Sequence, residues 1–248
     1  MTTPECSIVL LYYKEPERTE QAIRSILEHT AAVAYELIVV CNRTDPDIIG
    51  LVERYGIAKF GALSTNLGFS RGCNVGFQMA EGEFCCIFND DLEVRSHDWL
   101  RHMLDPFADP EIGVTGVQIN RISYIKGQCS SRRAEHLGYK PEQLRKVGYP
   151  FYAVGCLAAF RTRDLHLVGG FDPVFTPCSW EDVDLCYRLD HMLGRKISLV
   201  EGIEWRHPFR VSAGVGAVEY LNRSETVAAI AARNQAVGYD RWFNRTNE

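Results

Sequence analysis

A repeated step from apolar run to helical stripe is the feature that most constrains what this chain can fold into. Residues 6–12, 36–41, 59–63 and 84–88 have the composition of strands, and the first and last carry no charge along their length. Between them, Ala22, Ile23, Ile26 and Leu27 mark one helical face, and residues 46–55 repeat apolar positions at helical spacing. A glycine-punctuated turn then leads into a helix through Gly76 to Ala80, and Trp99, Leu100, Met103, Leu104 and Phe107 form a further stripe. This β-α-β-α succession predicts an α/β domain with a mainly parallel, doubly wound sheet. At 248 residues the chain suits one such domain with a substantial core.

Beyond residues 114–119 the regularity lapses. Residues 120–150 are polar, basic and contain three glycines, the composition of an excursion from the core rather than a second domain. Order returns with the uncharged run 151–160, a helix over 179–193 and a short strand at 196–200, and residues 217–243 are helical in composition.

Chemistry concentrates in Asn89-Asp90-Asp91, in Glu181-Asp182-Val183-Asp184 and in His207. The first cluster follows a buried strand directly, and ligands of open α/β sheets bind at the carboxyl ends of strands. Oxygen ligands there suit Mg²⁺ or Mn²⁺, ions that bridge carboxylates to phosphates, so the place suits a nucleoside diphosphate. The second cluster has a plainer explanation available. Ser179-Trp180-Glu181-Asp182 has the form of a capping box, and Asp184 has Arg188 four residues on as a surface partner. That explanation covers Asp184. It leaves Glu181 and Asp182 without a neighbouring cation, which favours a functional role for Asp182.

Taken in order, Ser7-Ile8-Val9-Leu10-Leu11-Tyr12-Tyr13, Leu37-Ile38-Val39-Val40-Cys41-Asn42, Asn66-Leu67-Gly68-Phe69-Ser70-Arg71-Gly72-Cys73-Asn74-Val75-Gly76, Asn89-Asp90-Asp91, Gly169-Gly170-Phe171-Asp172, Trp180-Glu181-Asp182-Val183-Asp184 and His207 resemble family 2 glycosyltransferases. The likeness covers roughly residues 5–212 and is nearest to the rhamnosyltransferase-like branch. It implies a GT-A fold and an inverting, metal-dependent transfer of a sugar from a nucleoside-diphosphate donor to an acceptor hydroxyl. By motif position, the resemblance places Leu11, Tyr12, Tyr13 and Asn42 at the base and ribose, with strand packing the competing role for the tyrosines. Asn66, Gly68 and Asn74 fall in a small-residue segment that lets backbone approach the donor. Arg71 either contacts the diphosphate or is a solvated helix-start residue. Asn89 and Asp90 meet the nucleotide sugar, while Asp91 and His207 hold Mn²⁺ or Mg²⁺. Asp182 matches the catalytic base, with Glu181 and Trp180 shaping the acceptor side, Trp180 as a platform for a sugar ring. Two departures stand out: Cys41 occupies a place where uridine-using relatives carry an acid, and Asn89 replaces the first aspartate of the metal motif.

Composition narrows the setting. With 46% hydrophobic and 24% charged residues, the chain is that of an ordinary globular protein. No apolar stretch approaches the ~20 residues of a membrane helix. The first residues lack the basic-then-apolar pattern of a signal peptide. Nine cysteines, scattered and without a CxxC pair, point away from disulfides and zinc, and so to a cytoplasmic setting, either free or peripheral at a membrane. Charge is uneven: residues 121–150 hold Arg121, Lys126, Arg132, Arg133, Lys140, Arg145 and Lys146 against Glu135 and Glu142, which is +5 in a chain of net −5, leaving −10 elsewhere. That contrast predicts an anionic acceptor held by Arg132, Arg133, Arg145 and Lys146, such as a phosphate-linked glycan lipid, a polysaccharide or a nucleic acid. Two other functions fit the fold. A non-catalytic nucleotide-sugar-binding or scaffold protein would explain the two departures. A nucleotidylyltransferase would require a glycine-rich basic loop after the first strand, and residues 7–13 have none.

Overall fold

The computed structural model describes residues 3–125, 128–207 and 216–244. The elements run β1 (Cys6–Tyr12), α1 (Pro16–His29), β2 (Tyr35–Cys41), α2 (Pro46–Arg54), β3 (Lys59–Ala62), α3 (Phe69–Met79), β4 (Phe84–Asn89), β5 (Glu93–Val94), α4 (Trp99–Leu104) and β6 (Ile112–Gly116). They continue β7 (Ile119–Ile125), β8 (Gln128–Arg133), β9 (Phe151–Ala153), β10 (Leu157–Arg161), α5 (Thr162–Val168), α6 (Glu181–Leu193), β11 (Lys196–Leu199), β12 (Trp205–Arg206), β13 (Ala217–Tyr220), β14 (Arg223–Thr226) and α7 (Val227–Trp242).

Seven strands form the central sheet in the order β11-β6-β10-β4-β1-β2-β3. Every neighbouring pair is parallel except the two made by β10, which runs antiparallel between β4 and β6. Alternation along the buried strands feeds both faces. Ile8, Leu10, Val39 and Phe88 pack with Ile23, Ile26, Ile48 and Trp99 of α1, α2 and α4. Val9, Leu11, Ile38 and Ile87 pack with Phe77 of α3 and with Leu185 and Leu189 of α6. This is the doubly wound sheet that the apolar rhythm predicts. A Cβ on Gly76 would lie 2.2 Å from Cγ1 of Val9, so glycine there lets α3 pack down onto β1. Among the described residues no helix is long and apolar enough to cross a membrane.

Two segments correct the sequence expectations. Residues 119–133 are not irregular. β7 pairs antiparallel with β8 and with β9 in a small second sheet, inner positions Ile122 and Tyr124 alternating with outer Arg121 and Ser123. Lys126 lies outside the described residues. Residues 217–243 are not one helix either. β13 and β14 form a hairpin whose two-residue loop, Leu221-Asn222, has both φ angles positive, at 48° and 58°, the conformation that suits strand twist. The helix starts only at Val227, where the Thr226 side chain accepts the Ala229 N–H at 3.2 Å.

Candidate active site

The pairing of Leu11 with Asn89 sets the acidic motif against the end of β1. Asp90 turns back beneath that strand, where one carboxylate oxygen accepts the Tyr13 N–H at 3.0 Å. Burial pushes the Asp90 carboxyl up to about 7, against the pull of that hydrogen bond and with help from the Asp91 charge. Asp91 instead faces His207, Oδ1 to Nε2 at 2.9 Å. Nδ2 of Asn89 lies 3.5 Å from the same imidazole nitrogen, across 118 positions of sequence. β12 delivers the histidine by pairing Trp205 with Val94 of β5. Oδ1 of Asn89 is buried and has no hydrogen-bond partner among the described residues. A carboxylate, an imidazole and an orphaned amide oxygen together fit a Mn²⁺ or Mg²⁺ ion, which would satisfy the oxygen that the protein leaves bare. Among the described residues no group of three or more His, Cys, Asp or Glu is placed to hold an ion, so substrate oxygens would complete the shell.

The second centre is the start of α6. The Asp182 carboxylate accepts the Val183 N–H at 2.8 Å and the Gly155 N–H at 3.4 Å, and burial pushes it up to about 6. Glu181 is 9% exposed, its Oε2 has no partner among the described residues, and burial together with the Asp182 charge holds it well above the ordinary carboxyl range. The capping box does not form. Ser179 and Trp180 both adopt positive φ, 78° and 77°, and no side chain caps the helix. Left-handed backbone at two non-glycine residues costs about 1–3 kcal/mol each and persists only where surroundings enforce it. Asp184 is no surface pair. It is fully buried and receives Nε of Arg188 at 2.7 Å, Nη1 of Arg241 at 2.7 Å and Nε1 of Trp242 at 3.0 Å.

Several residues expected at the donor have structural partners within the protein. Tyr12 is fully buried, its hydroxyl donating to Asp45 at 2.5 Å, while Leu11 packs under Gly72. Asn42 ties the end of β2 to the loop before α3, donating to the Gly68 carbonyl at 3.1 Å and accepting the Leu67 N–H at 2.9 Å. Asn66 donates to the Glu219 carbonyl at 2.7 Å and accepts the Gly68 N–H at 2.8 Å. Gly68, at φ 83°, sits so close to Pro177 that a Cβ would approach its Cα to 2.6 Å. Asn74 pairs with both backbone groups of Phe171 at 2.8 Å, which explains the Gly169-Gly170-Phe171 motif as a docking strip for α3. Tyr13 is half-buried, and its ring carries Lys14 Nζ at 4.9 Å. Arg71 is exposed on α3.

The acceptor-side expectations divide. Trp180 is 8% exposed and lies against Gly238, whose Cβ would meet the indole at 2.3 Å, so it presents little face to a sugar. Strand alternation puts Arg132 and Arg133 on opposite faces of β8. Arg133 is in register with Asn120, on the side where Tyr152 bonds Ser131 at 2.6 Å and Asn120 at 3.2 Å, and Arg132 is in register with Arg121. Arg145 pairs with Glu201 at 3.4 Å, and Lys146 with Asp109 at 2.9 Å and with Glu111. Those two cations are tied into the scaffold.

Comparison with known proteins gives the family and the fold. The model of Glycosyl transferase family 2 matches residues 7–168. The chain belongs to that family. A curated family relative, a pre-mycofactocin glycosyltransferase of Mycobacterium tuberculosis, is 29% identical over 122 residues, 47% of this chain and 25% of that protein. An uncharacterized protein of Sinorhizobium fredii is 25% identical over 213 residues, 75% of this chain and 23% of that one. The chain thus spans about a quarter of the length of these curated relatives. Among solved structures, a mannosyltransferase of Pyrobaculum calidifontis in complex with GDP-Man and Mn²⁺ superposes with a TM-score of 0.61 at 18% identity, over 80% of this chain and 55% of that one. GalNAc-T7 with UDP, GalNAc and Mn²⁺ gives 0.73 at 14% identity, over 98% of this chain and 49% of that one. At these identities the likeness is one of fold, and the fold of this family 2 member is GT-A.

Sequence reasoning missed the residues of α7 that touch the α6 turn, Asn234, Gly238 and Arg241, and the polar set of Asn120, Ser131 and Tyr152. A signal for the first lay in the sequence: Asn234 and Gly238 interrupt an apolar stripe that starts at Ile230, at one-turn spacing.

Proposed function

We propose that this family 2 member is an inverting glycosyltransferase that moves a hexose-type sugar from a nucleoside-diphosphate donor to an acceptor hydroxyl. The observation that carries the proposal is one short turn joining the two acidic centres. Asn89 donates its N–H to the Cys156 carbonyl at 3.1 Å, while the adjacent Gly155 donates to Asp182. A carboxylate that gains its proton near pH 6 is therefore fixed by backbone to the Asp91–His207 pair. Asp182 takes the acceptor hydroxyl's proton as that oxygen bonds to the anomeric carbon and the diphosphate leaves from the opposite face. Asp91, His207 and the Asn89 amide oxygen would hold a divalent cation, which supplies charge stabilisation to the departing diphosphate. Glu181, kept neutral by burial, adds no repulsion beside Asp182. Solved neighbours named with nucleotide ligands and Mn²⁺ support this assignment of donor class and metal.

The donor base is not selected by a charged side chain. Cys41 is fully buried and its thiol donates to the Arg43 carbonyl at 2.7 Å. Calorimetry with GDP, UDP and dTDP in Mn²⁺ is expected to give affinities within tenfold of one another, about 1.4 kcal/mol. A wider preference for UDP would refute weak base discrimination. No binding of any nucleotide would refute the transferase proposal itself, and binding without any sugar turnover would favour the scaffold alternative.

The acceptor is proposed to carry an anionic group held on the outer face of β7 and β8. Arg121 and Arg132 stand directly opposite each other there, and like charges so placed repel. The Arg121 side chain donates to Ser123 at 2.8 Å, and among the described residues neither arginine has a carboxylate partner. Beside them a cavity of about 330 Å³ is lined by Arg121, Ser123, Tyr124, Tyr149 and Phe243. Two cations suit one phosphate or carboxylate better than the extended track a nucleic acid needs. Arg132→Glu should raise the acceptor KM several-fold at low salt and leave nucleotide affinity alone. It should also raise the melting temperature slightly, because it turns a repulsive cross-strand pair into an attractive one. An unchanged KM would make Arg132 an ordinary solvated strand residue.

A further inference from the structure

The α6 turn is strained at Ser179 and Trp180, and its support comes from α7, which lies beyond the family match at residues 7–168. One face of α7 carries Ile230, Asn234, Gly238 and Arg241 at spacings of three and four, so all four point the same way. Asn234 is fully buried, and the two N–H groups of its amide are shared among three carbonyls within reach: Phe175 at 2.8 Å, Cys178 at 2.9 Å and Ser179 at 3.0 Å. Arg233 adds a bond to the Thr176 carbonyl at 2.6 Å and is itself held by Glu225 at 2.7 Å. Gly238 leaves room for the Trp180 indole. The carbonyl of Trp180 in turn accepts the Asp184 N–H at 2.9 Å, the first bond of the helix that carries Asp182.

We infer that Asn234 is a positioning residue, which holds the left-handed Ser179-Trp180 turn so that Asp182 faces the acceptor hydroxyl. This inference rests on the transferase proposal for its activity, but not for its structural readout. A buried amide whose two donors are shared among the carbonyls of a strained loop does what no apolar residue at that place could do. It explains why a mid-helix position in an otherwise packed stripe carries a polar side chain. It also accounts for the pair of positive φ values, which have no glycine to accommodate them.

The test compares Asn234→Ala, the near-isosteric Asn234→Asp and the double variant Asn234→Ala/Ser179→Gly with the unaltered chain. Two measurements serve: hydrogen–deuterium exchange over residues 176–186, and release of nucleoside diphosphate from GDP-mannose and UDP-sugars in Mn²⁺. Both single variants are expected to lose exchange protection in that segment. Their kcat should fall at least tenfold, and the Kd for GDP and UDP should change by less than twofold. Glycine adopts positive φ without help, so Ser179→Gly should restore most of the protection and of kcat. The inference is overturned if protection in residues 176–186 is unchanged in both single variants, or if the double variant recovers neither readout. Should Asn234→Ala fail to fold, Asn234→Asp and its own Ser179→Gly double carry the same comparison. If the unaltered chain binds no nucleotide and hydrolyses no donor, the transferase proposal fails while the exchange experiment still decides whether Asn234 holds the turn.

Discussion

Asp182→Asn is expected to abolish sugar transfer while the protein keeps its nucleotide affinity and gains thermal stability at neutral pH. Loss of a positioned general base removes about 10²–10⁴-fold of rate, and the loss should appear in kcat rather than in Kd for GDP or UDP. The sign of the stability change follows from linkage. In the folded chain the Asp182 carboxyl is pushed up to about 6 by burial, above its value of 3.8 in a model compound, so its contribution to stability is complete at acid pH and is lost as pH rises through about 6. An asparagine keeps the shape and never ionises. Its melting temperature should equal that of the unaltered chain below about pH 4 and exceed it at about pH 8. In the unaltered chain kcat should fall as pH drops through about 6, because only the ionised carboxylate accepts a proton. Near-normal turnover by the variant would take Asp182 out of the reaction. A loss of stability at every pH would make it a structural acid.

The second large effect concerns the metal. Asp91→Ala and His207→Ala should each weaken GDP and UDP binding in Mn²⁺ by at least tenfold, about 1.4 kcal/mol. The same substitutions should change binding little when a chelator replaces the metal, because the energy they remove is the coupling between ion and diphosphate. Calorimetry of each variant in both conditions closes that cycle. Full activity of the unaltered chain in excess chelator would refute metal dependence. An equal loss of affinity in chelator would assign Asp91 and His207 to direct contact with the nucleotide.

The parts of this fold that are legible in the sequence are those whose signal is local. Residues 6–12 and 84–88 could only be buried strands, and helical stripes such as Trp99, Leu100 and Met103 fixed the neighbouring layers. Asp91 and His207 were brought together by motif order, and the structure places them 2.9 Å apart. What the sequence concealed are the polar side chains whose partners are backbone groups far along the chain. Asn74 and Phe171 are 97 positions apart and Asn66 and Glu219 are 153 apart, and nothing near either asparagine distinguishes a clamp from a ligand contact. Asp184 was misassigned for the same reason, since Arg188 was visible at helical spacing while Arg241 was not. The β7–β8 hairpin was hidden by composition. Its inner positions are few, and the adjacent Arg132 and Arg133 look like one patch until period-two alternation separates them.

Asp184 has a bearing on the order in which the molecule can be completed. Its carboxylate is fully buried and divides its bonds between Arg188 on its own helix and Arg241 and Trp242 on α7. During synthesis residues 7–168, the whole of the family match, leave the ribosome well before residues 227–242. Until the later segment arrives, the acid has only Arg188 of its three side-chain partners, and removing one side of a buried pair costs about 3–5 kcal/mol. The start of α6 therefore gains its full set of buried partners only once α7 has been translated.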